Sequence, residues 1–224
     1  MNYFRYKQFD KDVITVAVGY YLRYALSYRN ISEILRERGI YVHHSTIYRW
    51  EQEYAPILYQ IWKKKNKQAY YKWHIDETYI KIKGQWHYLY RAIDADGHTL
   101  DISLRKKRDN HSAYTFIKRL IKQFGKPQMI ITDQAPSTKV AMTKIVKVFK
   151  LNPNCHCTSK YLNNLIEQDH RHIKVRKIRY QSLNTAKNTL KGIECIYGLY
   201  KKNRRSLQIY GFSPCNEISH MLAS

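Results

Sequence analysis

The sequence of 224 residues has few acidic residues, cysteines, glycines and prolines, and no long hydrophobic run. Its 17 Asp and Glu are outnumbered by 40 Lys and Arg, which gives a formal net charge of +23. Four cysteines do not suffice for a disulfide-dense scaffold, so we expect a protein of the reducing cytoplasm. Eight glycines and five prolines exclude collagen-like and low-complexity sequences. The longest apolar run, residues 13–22, is far shorter than the ~20 residues of a membrane-spanning helix, so we expect no membrane partner.

The abundant residues indicate a folded and strongly basic protein. A hydrophobic fraction of 44% and an aromatic fraction of 14% exclude wholesale disorder. The positive charge is spread along the whole chain rather than confined to a tail. A surface of this charge repels itself unless a polyanion binds it, which favours nucleic acid as the partner. On charge alone, a membrane-surface or ribosome-associated protein is the alternative.

Residues 1–61 are predicted to form an all-α helix-turn-helix domain. Asn30 is a suitable N-cap for the first helix of the motif, and Gly39 is a suitable left-handed residue to end it. The second helix is predicted to begin at His44 or Ser45 and to enter the major groove of DNA with its first residues. The expected DNA contacts are His44, Ser45, Thr46 and Arg49. A plain helical hairpin that packs against the rest of the protein is the alternative.

A basic linker is predicted at residues 62–71 and a C-terminal tail at residues 204–224. Between them, residues 72–203 carry the signals of three antiparallel strands, a helix, a strand, a helix, a short strand and two helices. This order is that of a ribonuclease H-like α/β domain. Cys155-His156-Cys157 in the fifth predicted strand has poor spacing for a zinc site, so ordinary strand cysteines are favoured there.

Three carboxylates stand at positions where the predicted fold would bring them together. Asp76 lies in the middle of the first strand, Asp133 at the carboxyl end of the fourth, and Glu167 on the helix predicted over residues 161–176. A buried, unpaired carboxylate costs several kcal/mol. Three that converge can hold two divalent cations, an arrangement suited to phosphodiester chemistry. The structural alternatives are a salt bridge for the first acid, a turn or cap for the second and an exposed helix charge for the third.

Two acids close to these three in sequence are predicted to point away from them, and one lysine is predicted to lie beside the third. Glu77 is expected on the opposite face of its strand from Asp76, because side chains alternate along a strand. Asp169 is two residues from Glu167 and is expected to point away from it. Lys174 follows Glu167 by two helical turns, so the two share one face of the predicted helix.

Five parts of the chain carry a family resemblance. They are IDETYIKIKGQWHYLYRAID, ITDQAP, YLNNLIEQDHRHIKVR, the helix-turn-helix before them and TLKGIECIYGLYKKNRR after them. Together they resemble the DDE-class transposases of bacterial insertion sequences. More narrowly, they resemble the small family whose members join replicons into cointegrates by replicative transposition.

The resemblance implies that Asp76, Asp133 and Glu167 are catalytic acids and metal ligands. Lys174 corresponds to the basic residue that such families keep seven positions after the glutamate. The family implies Mg²⁺, and we expect two ions, for which Mn²⁺ can substitute. It also implies action on short terminal inverted repeats and a homo-oligomer that brings two ends of double-stranded DNA together with the target. The expected DNA contacts on the glutamate helix are Arg171, Lys174 and Arg176.

The expected reaction is 3′-end cleavage by water, followed by attack of the freed 3′-hydroxyl on target DNA, at the nucleoid in the bacterial cytoplasm. A tyrosine recombinase is disfavoured because the sequence has no His-x-x-Arg pair, and a relaxase because it has no His-hydrophobic-His pair. A ribonuclease H-type nuclease would share the fold without explaining the helix-turn-helix. A non-catalytic DNA-binding regulator derived from a transposase is the remaining alternative, and the three acids argue against it.

Overall fold

The computed structural model describes residues 3–65, 69, 71–159, 161–176, 178–201 and 222. Its helices are α1 (Lys11–Arg23), α2 (Tyr28–Glu37), α3 (His44–Lys65), α4 (Asn110–Phe124), α5 (Pro136–Phe149), α6 (Asn164–Asp169), α7 (Arg171–Lys174) and α8 (Leu183–Tyr200). Its strands are β1 (Lys72–Ile82), β2 (Gln85–Asp94), β3 (Thr99–Arg105), β4 (Met129–Thr132) and β5 (His156–Thr158). These elements form two compact units, one of α1, α2, α3 and α8, the other of the strands with α4 to α7.

The helical unit differs from the predicted N-terminal domain in where α3 ends and in the inclusion of α8. The sequence predicts that the domain ends at residue 61, but α3 continues to Lys65, because Trp62 is buried and extends the apolar face of the helix. The sequence predicts α8 as part of the catalytic domain, yet α8 packs along α3. Of the predicted linker and tail, residues 66–68, 70, 204–221, 223 and 224 lie outside the described residues.

The close approach of α3 and α8 depends on a glycine. A Cβ atom built on Gly192 would stand 2.6 Å from the Cβ of Ala55 and 2.8 Å from Cδ2 of Leu22. Carbon atoms do not approach this closely, so a side chain at this position would force the helices to shift. Gly198, further along α8, has its nearest neighbour at 3.4 Å, in the ring of Trp62, which is an ordinary contact.

We expect Gly192→Ala to destabilise the protein by about 1–3 kcal/mol, the usual cost of overpacking a core. Gly198→Ala is the matched control on the same helix. At this position an added methyl group makes only an ordinary contact, and alanine has a better helix propensity than glycine by up to ~1 kcal/mol. The stability of Gly198→Ala should therefore be unchanged or slightly higher. Urea unfolding followed by near-UV circular dichroism compares the two variants, and equal stabilities would contradict the close packing of α3 on α8.

The two helices of the predicted helix-turn-helix are α2 and α3. The sequence predicts Asn30 as the N-cap of α2, but Ser27 holds that position. The Ser27 hydroxyl accepts from the backbone N–H of Asn30, whose side chain in turn accepts from the backbone N–H of Ser27. This reciprocal capping box starts the helix three residues earlier than predicted. Gly39 follows α2 with a φ of 75°, the left-handed conformation expected of it.

The five strands form one mixed sheet in the order β3-β2-β1-β4-β5. β1, β2 and β3 are antiparallel neighbours, whereas β4 runs parallel to β1 and β5 parallel to β4. This order and these directions are those of a ribonuclease H-like sheet with its antiparallel flank, so the predicted fold class is confirmed.

Helices cover both faces of the sheet. α4 and α5 pack on the face that carries Ile75 and Tyr90, and the main apolar core of the unit lies there. α6 packs against β1 on the opposite face, where Arg91 of β2 contacts Asp169. The single helix predicted over residues 161–176 is a short 3-10 turn followed by α6 and α7. The break between α6 and α7 falls at His170, whose side chain is buried against the sheet.

Candidate active site

Three carboxylates lie together at the carboxyl end of β4. One oxygen atom from each of Asp76, Glu77 and Asp133 lies within 4.8 Å of the other two. The side chain of Glu77 is 4% exposed, that of Asp76 13% and that of Asp133 35%. Carboxylate oxygens are the ligands that Mg²⁺ and similar hard cations prefer, so this donor set fits a divalent cation.

The early end of β4 explains how side chains from both faces of β1 meet. β4 pairs with the first three residues of β1 and then stops, so the edge of β1 is open where Asp133 follows β4. Glu77 lies opposite Tyr90 and, as expected, on the other face of the strand from Asp76. Its carboxylate nevertheless reaches the open edge and joins the other two. Strand alternation therefore predicts the face of β1 on which Glu77 lies, but not the position of its carboxylate oxygens.

Arg108 links two of these carboxylates. Its guanidinium forms an ion pair with Glu77 and another, of 3.0 Å, with Asp133. Asp133 also accepts a hydrogen bond of 3.1 Å from the backbone N–H of Ala135, which is the turn role that the sequence allows for it. Burial raises the pKa of Glu77 to about 7; Arg108 opposes this rise, while Asp133 and Asp76 add to it. Near neutral pH, Glu77 is therefore only partly ionised.

A buried network holds Asp76 from the α6 side of the sheet. Nε2 of His170 lies 3.2 Å from Oδ2 of Asp76, and Nδ1 of His170 lies 3.2 Å from Nη1 of Arg91. Arg91 is fully buried and forms an ion pair of 2.7 Å with Asp169. Because a guanidinium only donates hydrogen bonds, Nδ1 must accept, and Nε2 carries the proton that is donated to Asp76. Arg91 thus sets the tautomer of His170, and His170 fixes one oxygen of Asp76.

The third predicted acid lies elsewhere. Glu167 is exposed on α6 and is not part of the carboxylate group found among the described residues. It precedes His170 by one helical turn, and the residue before it in α6, Ile166, is fully buried. The structure therefore brings Asp76 and Asp133 together and leaves Glu167 apart from them. The basic residues predicted on the same segment are exposed or half-buried: Arg171, Lys174 and Arg176.

The first turns of α3 carry the other residues predicted to contact DNA. His44, Ser45 and Thr46 are half-buried, and Arg49 is exposed. The Ser45 hydroxyl lies 2.7 Å from Nδ1 of His43, so it already has a partner within the protein. Desolvation, reinforced by His43 and a nearby arginine, lowers the pKa of His44, which favours its neutral form. Arg49 is the member of this set that presents a permanent charge to solvent.

Other acids of the sheet have structural partners. Asp94 accepts from backbone N–H groups of the turn before β3, Asp101 pairs with Arg119, and Asp109 caps α4. Cys155 and Cys157 are not in a disulfide, and neither belongs to a metal-ligand group among the described residues. Within the described part of the chain, no helix is long and apolar enough to span a membrane.

Residues 70–203 match the family model of the DDE domain of IS240-type transposases. The chain belongs to the DDE transposase family. Two Staphylococcus aureus relatives are each 87% identical over 224 residues, which is 100% of both chains. They are the transposase for insertion sequence-like element IS431mec and the transposase for insertion sequence element IS257 in transposon Tn4003. An uncharacterized protein of Yersinia pseudotuberculosis is 38% identical over 93 residues, 40% of this transposase and 87% of that protein. The resemblance to insertion-sequence DDE transposases is thus confirmed.

Solved structures similar to this transposase include retroviral integrases. The catalytic core domain of HTLV-2 integrase in complex with magnesium, in a trimeric form, aligns with a TM-score of 0.45 and 19% identity over 61% of this chain and 88% of that one. The catalytic core domain of BIV integrase aligns with a TM-score of 0.43 and 17% identity over 69% of this chain and 99% of that one. At these identities the likeness concerns the fold alone.

Proposed function

We propose that this transposase binds the terminal inverted repeats of its element, cleaves DNA at their 3′ ends and joins the freed ends to target DNA. Donor and target then fuse into a cointegrate. The observation that carries the proposal is the meeting of Asp76 and Asp133 at the end of β4 in a protein of net charge +23. The basic surface attracts the polyanion, and the acidic group provides ligands for a cation where the phosphodiester would lie.

Asp76, Asp133 and Glu167 would hold two Mg²⁺ ions, for which Mn²⁺ can substitute. Ions held by these residues would supply activation of the attacking oxygen and stabilisation of the leaving oxygen of a phosphodiester. The protein orients the ligands: His170 donates to Asp76, and the backbone N–H of Ala135 donates to Asp133. The packing of α6 on β1 keeps Glu167 within one helical turn of the contact between His170 and Asp76.

The proposed reaction needs no covalent bond between protein and DNA. A water molecule attacks the phosphorus at the element end, the bond from phosphorus to the element's 3′ oxygen breaks, and the flanking DNA keeps the phosphate. The freed 3′-hydroxyl then attacks a phosphorus of the target and displaces a target 3′ oxygen. Around the cut, exposed or half-buried cations would bind the neighbouring phosphates, the arginines through their planar guanidinium groups and the lysine as a point charge. They are Arg171, Lys174 and Arg176.

Two copies or more would act together, because each event joins two element ends to one target. We place this homo-oligomer at the nucleoid in the bacterial cytoplasm, where its double-stranded DNA partners are.

The cointegrate is the product that tests the proposal. Cells carrying the transposase, a donor plasmid with two element ends and a second plasmid should yield fused plasmids that contain two copies of the element. Asp133→Ala should reduce their number to that of cells without the transposase. Simple insertions without the donor backbone would overturn the replicative pathway, and fusion unaffected by Asp133→Ala would overturn the assigned site.

The N-terminal turns of α3 are proposed to read the element ends through His44, Ser45, Thr46 and Arg49. If Arg49 or Thr46 contacts a base, Arg49→Ala or Thr46→Ala should weaken binding to those ends by about 1–3 kcal/mol, with little effect on random duplex. Arg36→Ala, which removes an exposed charge from α2, is the control and should weaken both kinds of DNA equally. Fluorescence anisotropy with end and random duplexes measures the difference, and equal losses for Arg49→Ala on both would mean that α3 is not the reader.

A further inference from the structure

The β1–β2 hairpin carries a row of aromatic and basic side chains on the face that holds Glu77. Tyr79 and Lys81 follow Glu77 at alternate positions of β1, so all three point to the same side. Their partners on β2 are Tyr90 opposite Glu77, Tyr88 opposite Tyr79, and Trp86 opposite Lys81. Arg105 of β3 lies opposite Tyr88 and extends the row onto the third strand. We call Tyr79, Lys81, Trp86, Tyr88 and Arg105 the hairpin face.

Much of the aromatic surface of the hairpin face is open to solvent. Trp86 is 58% exposed and Tyr79 is 51% exposed. The rings touch one another edge to face, with Tyr79 5.4 Å from Tyr88 and 6.1 Å from Trp86 between ring centres. Such cross-strand contacts stabilise a hairpin. They do not account for the exposure of a tryptophan, Trp86, at the far end of the row.

The charge around these rings is positive. The ammonium group of Lys81 lies 5.5 Å from the centre of the Trp86 ring, so cation and ring form one surface. Residues 79–88 contain two lysines and no acidic residue. Arg105, at the other edge of the row, is half-buried. An exposed ring surface beside cations is complementary to a ligand that has both flat faces and negative charge.

The hairpin face begins at the candidate active site. Tyr79 is the next residue after Glu77 on this side of β1. Arg108 contacts both Glu77 and Asp133. A strand of DNA whose phosphodiester lay at the carboxylates could therefore continue directly onto the rings.

We propose that the hairpin face binds unpaired nucleotides of the DNA strand adjacent to the phosphodiester that is cut. Bases present flat faces for stacking only when they are not enclosed in a duplex, and cations beside aromatic rings are the usual combination in sites for single-stranded nucleic acid. The location of these nucleotides next to the cut rests on the function proposed above. Their binding to the hairpin face does not, because it requires neither cleavage nor element ends.

Trp86 is a natural reporter for this interaction. The protein has four tryptophans, and the other three are buried, with Trp50 and Trp62 5% exposed and Trp73 1% exposed. In the absence of divalent cations, a short single-stranded oligothymidylate should quench the tryptophan emission of the full-length protein. A blunt duplex of the same length should quench it much less, and Trp86→Phe should remove the quenching by the single strand.

Affinity for the oligothymidylate gives the second readout. Trp86→Ala should weaken it about 5- to 150-fold, the range for the loss of one stacked base, while Trp86→Phe should keep most of it. Lys81→Ala should also weaken it, whereas Lys122→Ala, which removes an exposed lysine on α4, should change it less than Lys81→Ala. Thermal unfolding of each variant identifies any loss of affinity that is caused by a damaged hairpin. If Trp86→Ala is damaged in this way, the test depends on whether Trp86→Phe removes the quenching of tryptophan emission by the oligothymidylate.

Several results would overturn the inference. They are equal quenching by single strand and duplex, affinity within twofold of wild type for Trp86→Ala, and a shift in sedimentation of Trp86→Ala that marks a contact between two copies of the chain. If cointegrates form and Trp86 does not respond to the oligothymidylate, this inference fails while the proposed function stands. If Trp86 responds to the oligothymidylate and no cointegrates form, the proposed function fails while this inference stands.

Discussion

Cleavage of an element end by the Glu167→Gln variant should fall to the level of a reaction without protein, and Asp76→Ala and Asp133→Ala should do the same. The change from Glu to Gln preserves size and removes only the negative charge that a divalent cation needs. End binding should remain nearly unchanged, because the proposed readers lie on α3. Denaturing electrophoresis of an end-labelled duplex with Mg²⁺ measures cleavage, and mobility shift with the same duplex measures binding.

Glu77→Gln is the matched comparison for Glu167→Gln. Glu77 lies nearer to Asp76 and Asp133 than the exposed Glu167 does, yet it is already paired with Arg108, which competes with a cation for its carboxylate. We expect Glu77→Gln to lower cleavage by about 10- to 100-fold, as removal of a group that supports metal ligands does. An inactive Glu77→Gln together with an active Glu167→Gln would make Glu77 the third ligand.

Arg91→Met should lower the free energy of unfolding by about 3–5 kcal/mol, the cost of removing one partner from a buried ion pair. Arg91 is fully buried, and Asp169 is only 12% exposed, so the aspartate would be left with its charge in a poorly solvated position. The double variant Arg91→Met/Asp169→Leu should recover most of that stability, because it replaces both charges with apolar side chains. Urea unfolding of the single and double variants provides the comparison.

Activity should not recover with stability in the double variant. Without Arg91, Nδ1 of His170 loses the donor that sets its tautomer, and Asp76 loses a hydrogen bond of defined direction. End cleavage should therefore stay about 10- to 100-fold below wild type at any Mg²⁺ concentration. A double variant that regains both stability and full cleavage would show that Arg91 acts only in folding and that Asp76 needs no help from His170.

Features of the fold that depend on neighbouring residues could be predicted from the sequence. Gly39 ends α2 as expected, and Asp109 caps α4 and Pro136 opens α5 by equally local rules, because capping groups act within one turn of the chain. The sequence predicts Asn30 rather than Ser27 as the N-cap of α2, because both residue types favour that position and the capping box uses both. The packing of α8 on α3 could not be predicted, because it depends on a contact between Gly192 and Ala55 that no local pattern reveals.

The candidate site shows the same division. Asp76 and Asp133 could be predicted because an acid in or beside an apolar strand is costly unless it has a partner or binds a cation. The ribonuclease H-like strand order also places their two strands side by side. Strand alternation predicts Glu77 away from the site, because it takes no account of the open edge of β1 where β4 stops. Arg91 is itself a signal in the sequence: an arginine between apolar and aromatic residues of a central strand indicates a buried acidic partner, here Asp169.

The chemical identity of the joined DNA tests the central claim most directly. The purified transposase would be incubated with a 5′-labelled element end, a target plasmid and Mg²⁺, and the products separated on a denaturing gel before and after protease digestion. We predict a labelled strand joined to target DNA, whose mobility is the same with and without protease and which is absent with a chelator or with Asp133→Ala. Label that migrates with protein until protease is added, or joining that persists in Asp133→Ala, would contradict catalysis by the carboxylates at the end of β4.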